Sequence, residues 1–340
     1  MTTFYLTGKC SIGCTYCYAW KRLGYDMPMD VLEQACKWFN QNRRDDLKLW
    51  GGEPLQHRAG VKYTLGHARA NGFNVTSNGV CLDDELYEWL LLHGVSAALS
   101  WDGTEKSQNS GRNGSYDALM KTLPLWKSLI AANGGQILKT VSDPTLLYED
   151  VKTIYEAGFE RCFLNFYRPY GSIYTSDEVK HLETEYHRVI KDFHMKPDFT
   201  LTDVVQYQSL YPMMQSNLYV PHCGINAMGV TVGPDGLLYP CDDAALMGAE
   251  FSFGNVWDGI DEAKERAIRK QVTPVPVKCK DCDLKCYPCP VCSYINMDEL
   301  ASDPGDGFCE LRHMQFRVVN QYQPQRLSGV SVTPRHLRAG

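Results

Sequence analysis

Up to about residue 200, short runs of β-branched and aromatic residues alternate with longer stretches whose apolar positions recur every three or four residues. Residues 2–6 predict a strand that delivers Cys10 at its C-terminal end, and Asp30 is placed to cap a helix through about residue 40, with Val31, Leu32, Ala35 and Phe39 on its apolar face. Further strands are predicted at 47–50, ending in Gly51-Gly52-Glu53-Pro54, and at 73–77, ending in Asn78-Gly79. Three more follow at 96–101, ending in Asp102-Gly103, at 136–141 and at 162–167. Helical periodicity fills 59–71, 83–93, 115–132, 147–157 and 176–195. Strand and helix in strict alternation imply a parallel sheet, and the polar or glycine-bearing strand ends collect at one rim. Six such units predict an α/β fold, a partial barrel of the (β/α)6 type.

Around 201–221 the alternation fails while tyrosine, methionine and proline rise, which places a domain boundary near 205–215. Beyond it, 229–232 and 236–239 flank Pro234-Asp235-Gly236 and predict a β-hairpin. Five cysteines then fall within 279–292, a density that only metal or disulfides explain. The expected organisation is a barrel over 1–210, a small cysteine-rich domain over 211–320 and a poorly packed tail over 321–340.

Composition narrows the class. The 340 residues are 44% hydrophobic, enough for a sizeable core, and 34 basic against 40 acidic residues give a net charge of −6. With no long basic run, a tight electrostatic grip on nucleic acid is not expected. Fourteen cysteines in a long chain with metal-type spacings and no signal peptide fit a reducing cytoplasm better than a secreted disulfide framework. No apolar run is long enough to span a bilayer.

The chemistry starts at Cys10-x3-Cys14-x2-Cys17, with Tyr16 just before its third cysteine. Three thiolates in a compact loop suit a soft metal centre, but a structural zinc site wants four ligands, whereas a four-iron cluster on three cysteines leaves one iron open. The pattern resembles the signature of the radical S-adenosylmethionine (SAM) enzymes, in which the open iron chelates SAM and one electron from the cluster yields a 5′-deoxyadenosyl radical. The resemblance implies a SAM cradle at Gly51, Gly52 and Glu53, whose glycines let backbone approach a ligand with its amides free and whose carboxylate meets the methionyl ammonium. A turn with a solvated glutamate is the plain alternative. It further implies SAM contacts from Ser77, Ser100 and Asp102, an arginine partner for the SAM carboxylate in Arg112, an inward-facing Asn165, and Tyr16 near adenine. Helix caps, a solvated arginine and simple aromatic packing are the corresponding structural roles.

The second half resembles a SPASM domain, which carries auxiliary 4Fe–4S clusters. Cys223, Gly236 and Cys241 match its opening, and Cys279-x2-Cys282, Cys289, Cys292 and Cys309 its remainder, with Cys286 as a surplus cysteine. The resemblance implies one auxiliary cluster on Cys223, Cys241 and Cys292, with an open iron or a borrowed cysteine. A second would use Cys279, Cys282, Cys309 and either Cys286 or Cys289. Zinc ribbons would serve the Cys-x2-Cys spacing equally well. Asp242, directly after Cys241, matches an aspartate that takes the substrate proton in sulfatase-maturating members, or it merely caps a turn. Cys36, Cys81 and Cys162 lack partner spacing and fit as small apolar residues.

The implied activity is a cytoplasmic, oxygen-sensitive radical SAM oxidoreductase that abstracts a hydrogen atom and oxidises or crosslinks a peptide or protein. The alternatives are a radical SAM enzyme for a small sugar or nucleoside intermediate and a non-catalytic iron–sulfur or zinc protein. Expected partners are an electron donor such as flavodoxin or ferredoxin and, because only nine residues precede Cys10, a separate leader-peptide-binding protein.

Overall fold

The computed structural model describes residues 1–17, 24–166, 174–205, 229–271, 282, 284 and 306–322. In its first part, β1 (Thr2–Thr7), α1 (Met29–Asn42), β2 (Leu47–Gly51), α2 (Arg58–His67), β3 (Phe73–Ser77), α3 (Asp84–Leu92) and β4 (Ser96–Ser100) follow in order. They continue into α4 (Glu105–Gly111), α5 (Tyr116–Asn133), β5 (Gly135–Val141), α6 (Leu147–Glu156), β6 (Arg161–Phe166), α7 (Ser176–Val189) and β7 (Thr200–Leu201). After residue 228 come β8 (Val230–Val232), β9 (Leu237–Tyr239), α8 (Asp242–Met247), β10 (Gly254–Asn255), β11 (Gly259–Ile260), α9 (Glu262–Gln271) and α10 (Asp306–Gln321).

Strands β1 to β7 pair in chain order, each parallel to the next, and form the expected α/β partial barrel. Every residue of β1 is buried, as a parallel strand covered on both faces requires. On the outer face Phe4 meets Phe39 of α1 edge-on at 6.0 Å, and on the inner face Tyr5 packs on Trp50 at 4.8 Å. Helix α1 buries Val31, Leu32, Ala35, Cys36, Trp38 and Phe39, a stripe at helical spacing that hydrophobic burial holds against the sheet. It starts at Met29 with Pro28 in the cap place, so Asp30 lies in the first turn, beside the positive end of the helix, and does not cap it.

The predicted hairpin forms, but it is built onto the barrel's own sheet. β8 runs parallel to β1 on the side away from β2, with Thr2 opposite Val230 and Phe4 opposite Val232. β9, β10 and β11 then continue the same sheet in antiparallel order, giving eleven strands. Of the segment 205–215 expected to hold the domain boundary, only residue 205 is among the described residues. α10 lies against α7, where Arg317 clasps Glu183 with two bonds of 3.0 and 2.8 Å.

Several elements escape the periodicity, among them the two-residue β7 and the helices α8, α9 and α10. α4 is a seven-residue polar helix, Glu-Lys-Ser-Gln-Asn-Ser-Gly, capped by the Thr104 hydroxyl, and it carries no apolar stripe to betray it. The stretch predicted as one helix over 176–195 changes register after Val189 into a π-turn, Ile190–His194, where Leu201 donates its amide to Nδ1 of the buried His194. Among the described residues no helix is long and apolar enough to cross a membrane.

Candidate active site

The cysteine loop leaves β1 and is fastened on both sides. On one side, Gly52 donates its amide to the Thr7 carbonyl at 2.7 Å and Glu53 donates to Lys9 at 2.8 Å. These two amides are therefore spent on the loop and are not free for a ligand, contrary to the sequence expectation. The approach is so close that a Cβ on Gly51 would lie 2.2 Å from the Thr7 carbonyl oxygen, and one on Gly52 2.3 Å from that of Lys9. Glycine is needed here for backbone against backbone. On the other side, Thr15 donates its amide to Gly111 at 3.0 Å and the Asn113 carboxamide donates to the Ile12 carbonyl at 2.9 Å.

Glu53 is wholly buried and lines neither of the cavities beside the cysteine loop. Its carboxylate accepts from the amide of Asn78 at 2.7 Å, the hydroxyl of Ser77 at 2.8 Å and the amide of Leu55 at 3.1 Å. It braces the end of β2 to the end of β3, which corrects its expected role as a partner of the methionyl ammonium. Burial, offset in part by those three bonds, pushes its carboxyl up to about 7. Beside it, Asn78 accepts from Val80 and directs its amide at Sγ of Cys10, 3.6 Å away.

Asp102 and Arg112 form a second brace. The fully buried Asp102 carboxylate receives Nε and Nη2 of Arg112 at 3.0 and 3.1 Å, the Thr140 amide at 2.8 Å and the Tyr16 hydroxyl at 2.6 Å. Arg112 is only 6% exposed and stands 5.3 Å from the Tyr16 ring centre. Burial alone would pull its guanidinium down, yet the Asp102 carboxylate holds it above its ordinary value, while burial pushes the Tyr16 phenol up. Asp102 has no oxygen left for SAM, and Arg112, expected to meet the SAM carboxylate, is a buried, bidentate counter-ion of Asp102 that also lines the barrel mouth, which excludes the alternative of a solvated loop residue. Behind them, Lys139 donates to the Asp102 carbonyl at 3.0 Å and to Asp150 at 2.7 Å, and Asp150 also receives Ser107 and Thr104, fixing the turn after β4.

Cys10, Cys14 and Cys17 form a wall shared by two cavities. One, of about 500 Å³, is bounded otherwise by Gly8, Lys9, Gly13 and Gly24. The other, of about 420 Å³, is the mouth of the barrel, lined by Tyr16, Trp50, Gly51, Gly52, Thr76, Ser77, Asn78, Ser100, Arg112, Leu138, Thr140, Phe163, Asn165 and Asp243. On β5 and β6 the lining residues obey the period of two, with Thr140 opposite Asn165 and Leu138 opposite Phe163, and Ser100 of β4 stands opposite Leu138. Tyr16, Gly51, Gly52, Ser77, Ser100, Arg112 and Asn165 thus meet in one space, whereas Glu53 and Asp102 stand behind its wall. Sequence reasoning missed Trp50, Thr76, Leu138, Thr140 and Phe163, although strict alternation outward from Ser100 and Asn165 would have found most of them.

Three thiols around glycine-walled space suit an iron–sulfur cage. No three His, Cys, Asp or Glu side chains among the described residues converge on a single ion, and a cage of several irons needs no such point because it spreads its thiolates wider. All nine cysteines of the described residues are thiols, and burial pushes that of Cys14 up against the lowering pull of Arg112.

Asp242 is not part of this space. Its oxygens accept the Thr231 hydroxyl at 2.7 Å and face Nζ of Lys48 at 3.3 Å, and it is the next residue, Asp243, that lines the barrel mouth. The two acids are equivalent in sequence, and only the start of α8 at Asp242 decides which one faces inward. Of the expected auxiliary ligands, Cys241 accepts the Ala244 amide at the cap of α8 at 3.4 Å, Cys309 lies on α10 and Cys282 stands beside it. Cys223, Cys279, Cys286, Cys289 and Cys292 lie outside the described residues. Cys36 and Cys162 are buried as expected, with Cys81 half-buried.

The family model of the radical SAM superfamily matches residues 4–132. No curated protein matches the sequence. Among solved structures the chain is similar to anSMEcpe with bound AdoMet and Cp18Cys peptide, at 18% identity and a TM-score of 0.73, over 94% of this chain and 98% of that one. It is also similar to SuiB of Streptococcus suis bound to precursor peptide SuiA, at 17% identity and a TM-score of 0.62, over 87% of this chain and 72% of that one. At such identities the structural likeness carries the fold. The family match covers residues 4–132, the stretch that carries Cys10, Cys14 and Cys17 and much of the barrel mouth, so the likeness to the radical SAM superfamily rests on that stretch and on the shared fold.

Proposed function

We propose that this enzyme oxidises or crosslinks a side chain of a peptide or protein, with Asp243 as the proton acceptor. The observation that carries the reading is the shared cysteine wall: one cavity on its far side suits the cluster, and the barrel mouth on its near side is lined by hydroxyl, carboxamide and backbone groups and closed by Asp243. Cys10, Cys14 and Cys17 would hold the cluster, and Tyr16, Gly51, Gly52, Ser77, Ser100 and Asn165 would hold SAM. Together, when bound, these groups supply a 5′-deoxyadenosyl radical. The peptide class is supported by the two similar structures that contain a Cp18Cys peptide and the precursor peptide SuiA.

Net oxidation removes two hydrogens from the substrate. One would leave as an atom to the 5′-deoxyadenosyl radical, giving 5′-deoxyadenosine, and the other as a proton to Asp243 with its electron passing to an iron–sulfur centre that the C-terminal cysteines would hold. Asp243 stands in the first turn of α8 and lines the barrel mouth, where a general base for a substrate bound there has to stand. A flavodoxin- or ferredoxin-type donor would reduce the barrel cluster. The division of labour follows the expected organisation, with radical generation in 1–210 and electron removal in 211–320.

The test is anaerobic turnover with SAM, reductant and a panel of peptides containing Cys, Ser, Tyr or Trp. Wild type should form 5′-deoxyadenosine and a peptide lighter by two hydrogens, and the triple variant Cys10→Ala, Cys14→Ala, Cys17→Ala neither. Asp243→Asn should keep 5′-deoxyadenosine and lose about a hundredfold or more in product, the span of general-base catalysis. Loss of product in Asp242→Asn but not in Asp243→Asn would remove Asp243 from the mechanism, and turnover of a sugar or nucleoside with no peptide oxidised would replace the substrate class.

A further inference from the structure

Helix α10 carries Cys309 and His313 four residues apart, hence on one face, and both line a cavity of about 440 Å³ against Ser176, Val179 and Glu183 of α7. Nε2 of His313 lies 3.6 Å from Sγ of Cys282, which is 31 residues earlier in the chain. That separation has a geometric meaning. With metal–sulfur bonds of about 2.3 Å and metal–nitrogen bonds of about 2.0–2.1 Å, two ligands on one tetrahedral ion stand about 3.6 Å apart. A four-iron cage takes one protein ligand at each iron, so its ligands stand farther apart than this pair.

We propose that Cys282 and His313 bind the same tetrahedral metal ion, with Cys309 as the further thiolate that α10 offers to it. No three such side chains among the described residues converge on one point, so metal binding draws Cys309 in by rotation about its Cα–Cβ bond. The ligand set is thiolate and neutral imidazole, which suits zinc(II) or an iron that takes two protein ligands, as in a two-iron cluster. This assigns a nitrogen ligand where the sequence resemblance implies only cysteines, and it is independent of the chemistry in the barrel.

The experiment uses the full chain carrying Cys10→Ala, Cys14→Ala and Cys17→Ala, which removes the barrel cluster and with it the amine nitrogen of bound SAM. The protein is prepared metal-free under anaerobic conditions and loaded in one arm with zinc and in another with iron and sulfide. X-ray absorption at the zinc edge reads the first arm, and nitrogen couplings by electron–nuclear double resonance of the reduced protein read the second. The expected result is an imidazole nitrogen on the metal in one arm, loss of one metal equivalent or one cluster in His313→Ala, and retention of the metal without the nitrogen signal in His313→Cys. Sulfur-only ligation in both arms, or unchanged metal content and spectra in His313→Ala, overturns the proposal. Because the barrel cluster is absent from every sample, neither result bears on the radical reading.

Discussion

Glu53 shows what one residue of a motif can and cannot reveal. The sequence places a carboxylate at the end of the second strand, and the structure keeps it there but turns it inward, because the amides of Leu55 and Asn78 and the hydroxyl of Ser77 converge on it. Side-chain direction depends on the backbone path of Gly51 and Gly52, which no motif encodes. The same holds for Asp102, recognisable as important but read as a ligand when it is the anchor for Arg112 and Tyr16. Glu53 also makes stability depend on pH. Its carboxyl is raised from 4.5 to about 7 in the folded protein, so between these values the native state holds the proton that the unfolded chain releases. Its contribution is therefore fully present below about pH 4.5, is lost as pH rises to about 7, and amounts to roughly 3 kcal/mol. Asp203, raised to about 6 by burial, acts in the same direction. Urea unfolding of the metal-free protein at pH 5 and pH 8 should show wild type losing stability over that interval and Glu53→Gln losing less by about that amount. Equal losses in the two proteins would mean that Glu53 is ionised throughout.

At the scale of elements, the first six strands of the barrel were legible because each is a short apolar-rich run that ends near glycine or a polar residue, whereas the two-residue β7 is too short to leave such a signal. α4 was not, because its seven residues gain their stability from the Thr104 cap and from docking the cysteine loop, with Thr15 bonded to its last residue, Gly111, and no apolar stripe records either. The junction of β2 with that loop yields a sharper expectation. Gly52→Ala puts a methyl carbon 2.3 Å from the Lys9 carbonyl oxygen, a distance that only backbone movement relieves. The movement must open the bonds from Gly52 to Thr7 and from Glu53 to Lys9, which set where Cys10 stands. A loss of roughly 3–5 kcal/mol, at the upper end for a single substitution, is expected. Iron bound by the barrel loop should fall with it. Gly66→Ala, in open space on α2, is the control and should leave the iron content unchanged and raise stability by up to about 1 kcal/mol. Wild-type iron content and unfolding midpoint in Gly52→Ala would show that the junction tolerates a side chain.

For the whole molecule, the change of composition near residue 210 and the course of the sheet carry different information. Composition marks where tyrosine, proline and cysteine take over, but hydrogen bonding runs across that point, since β8 pairs with β1 and extends the barrel sheet into the hairpin. Pairing of strands more than 200 residues apart leaves no local trace in sequence, which is why the hairpin was foreseen and its partner was not. β1 is therefore an interior strand, buried at every position, with β2 on one side and β8 on the other. A chain cut to residues 1–210 keeps β2 but strips β8, leaving a flat, hydrophobic strand edge open to other chains. Such a fragment should aggregate when made alone, and any soluble part should exchange its Thr2–Thr7 amides far faster than the full-length protein, whose β1 amides should be among the slowest. Hydrogen exchange followed by mass spectrometry reads both. A monomeric 1–210 fragment with wild-type protection over β1 would mean that the barrel completes its own sheet without the hairpin, and that the C-terminal region contributes chemistry but no structure to β1.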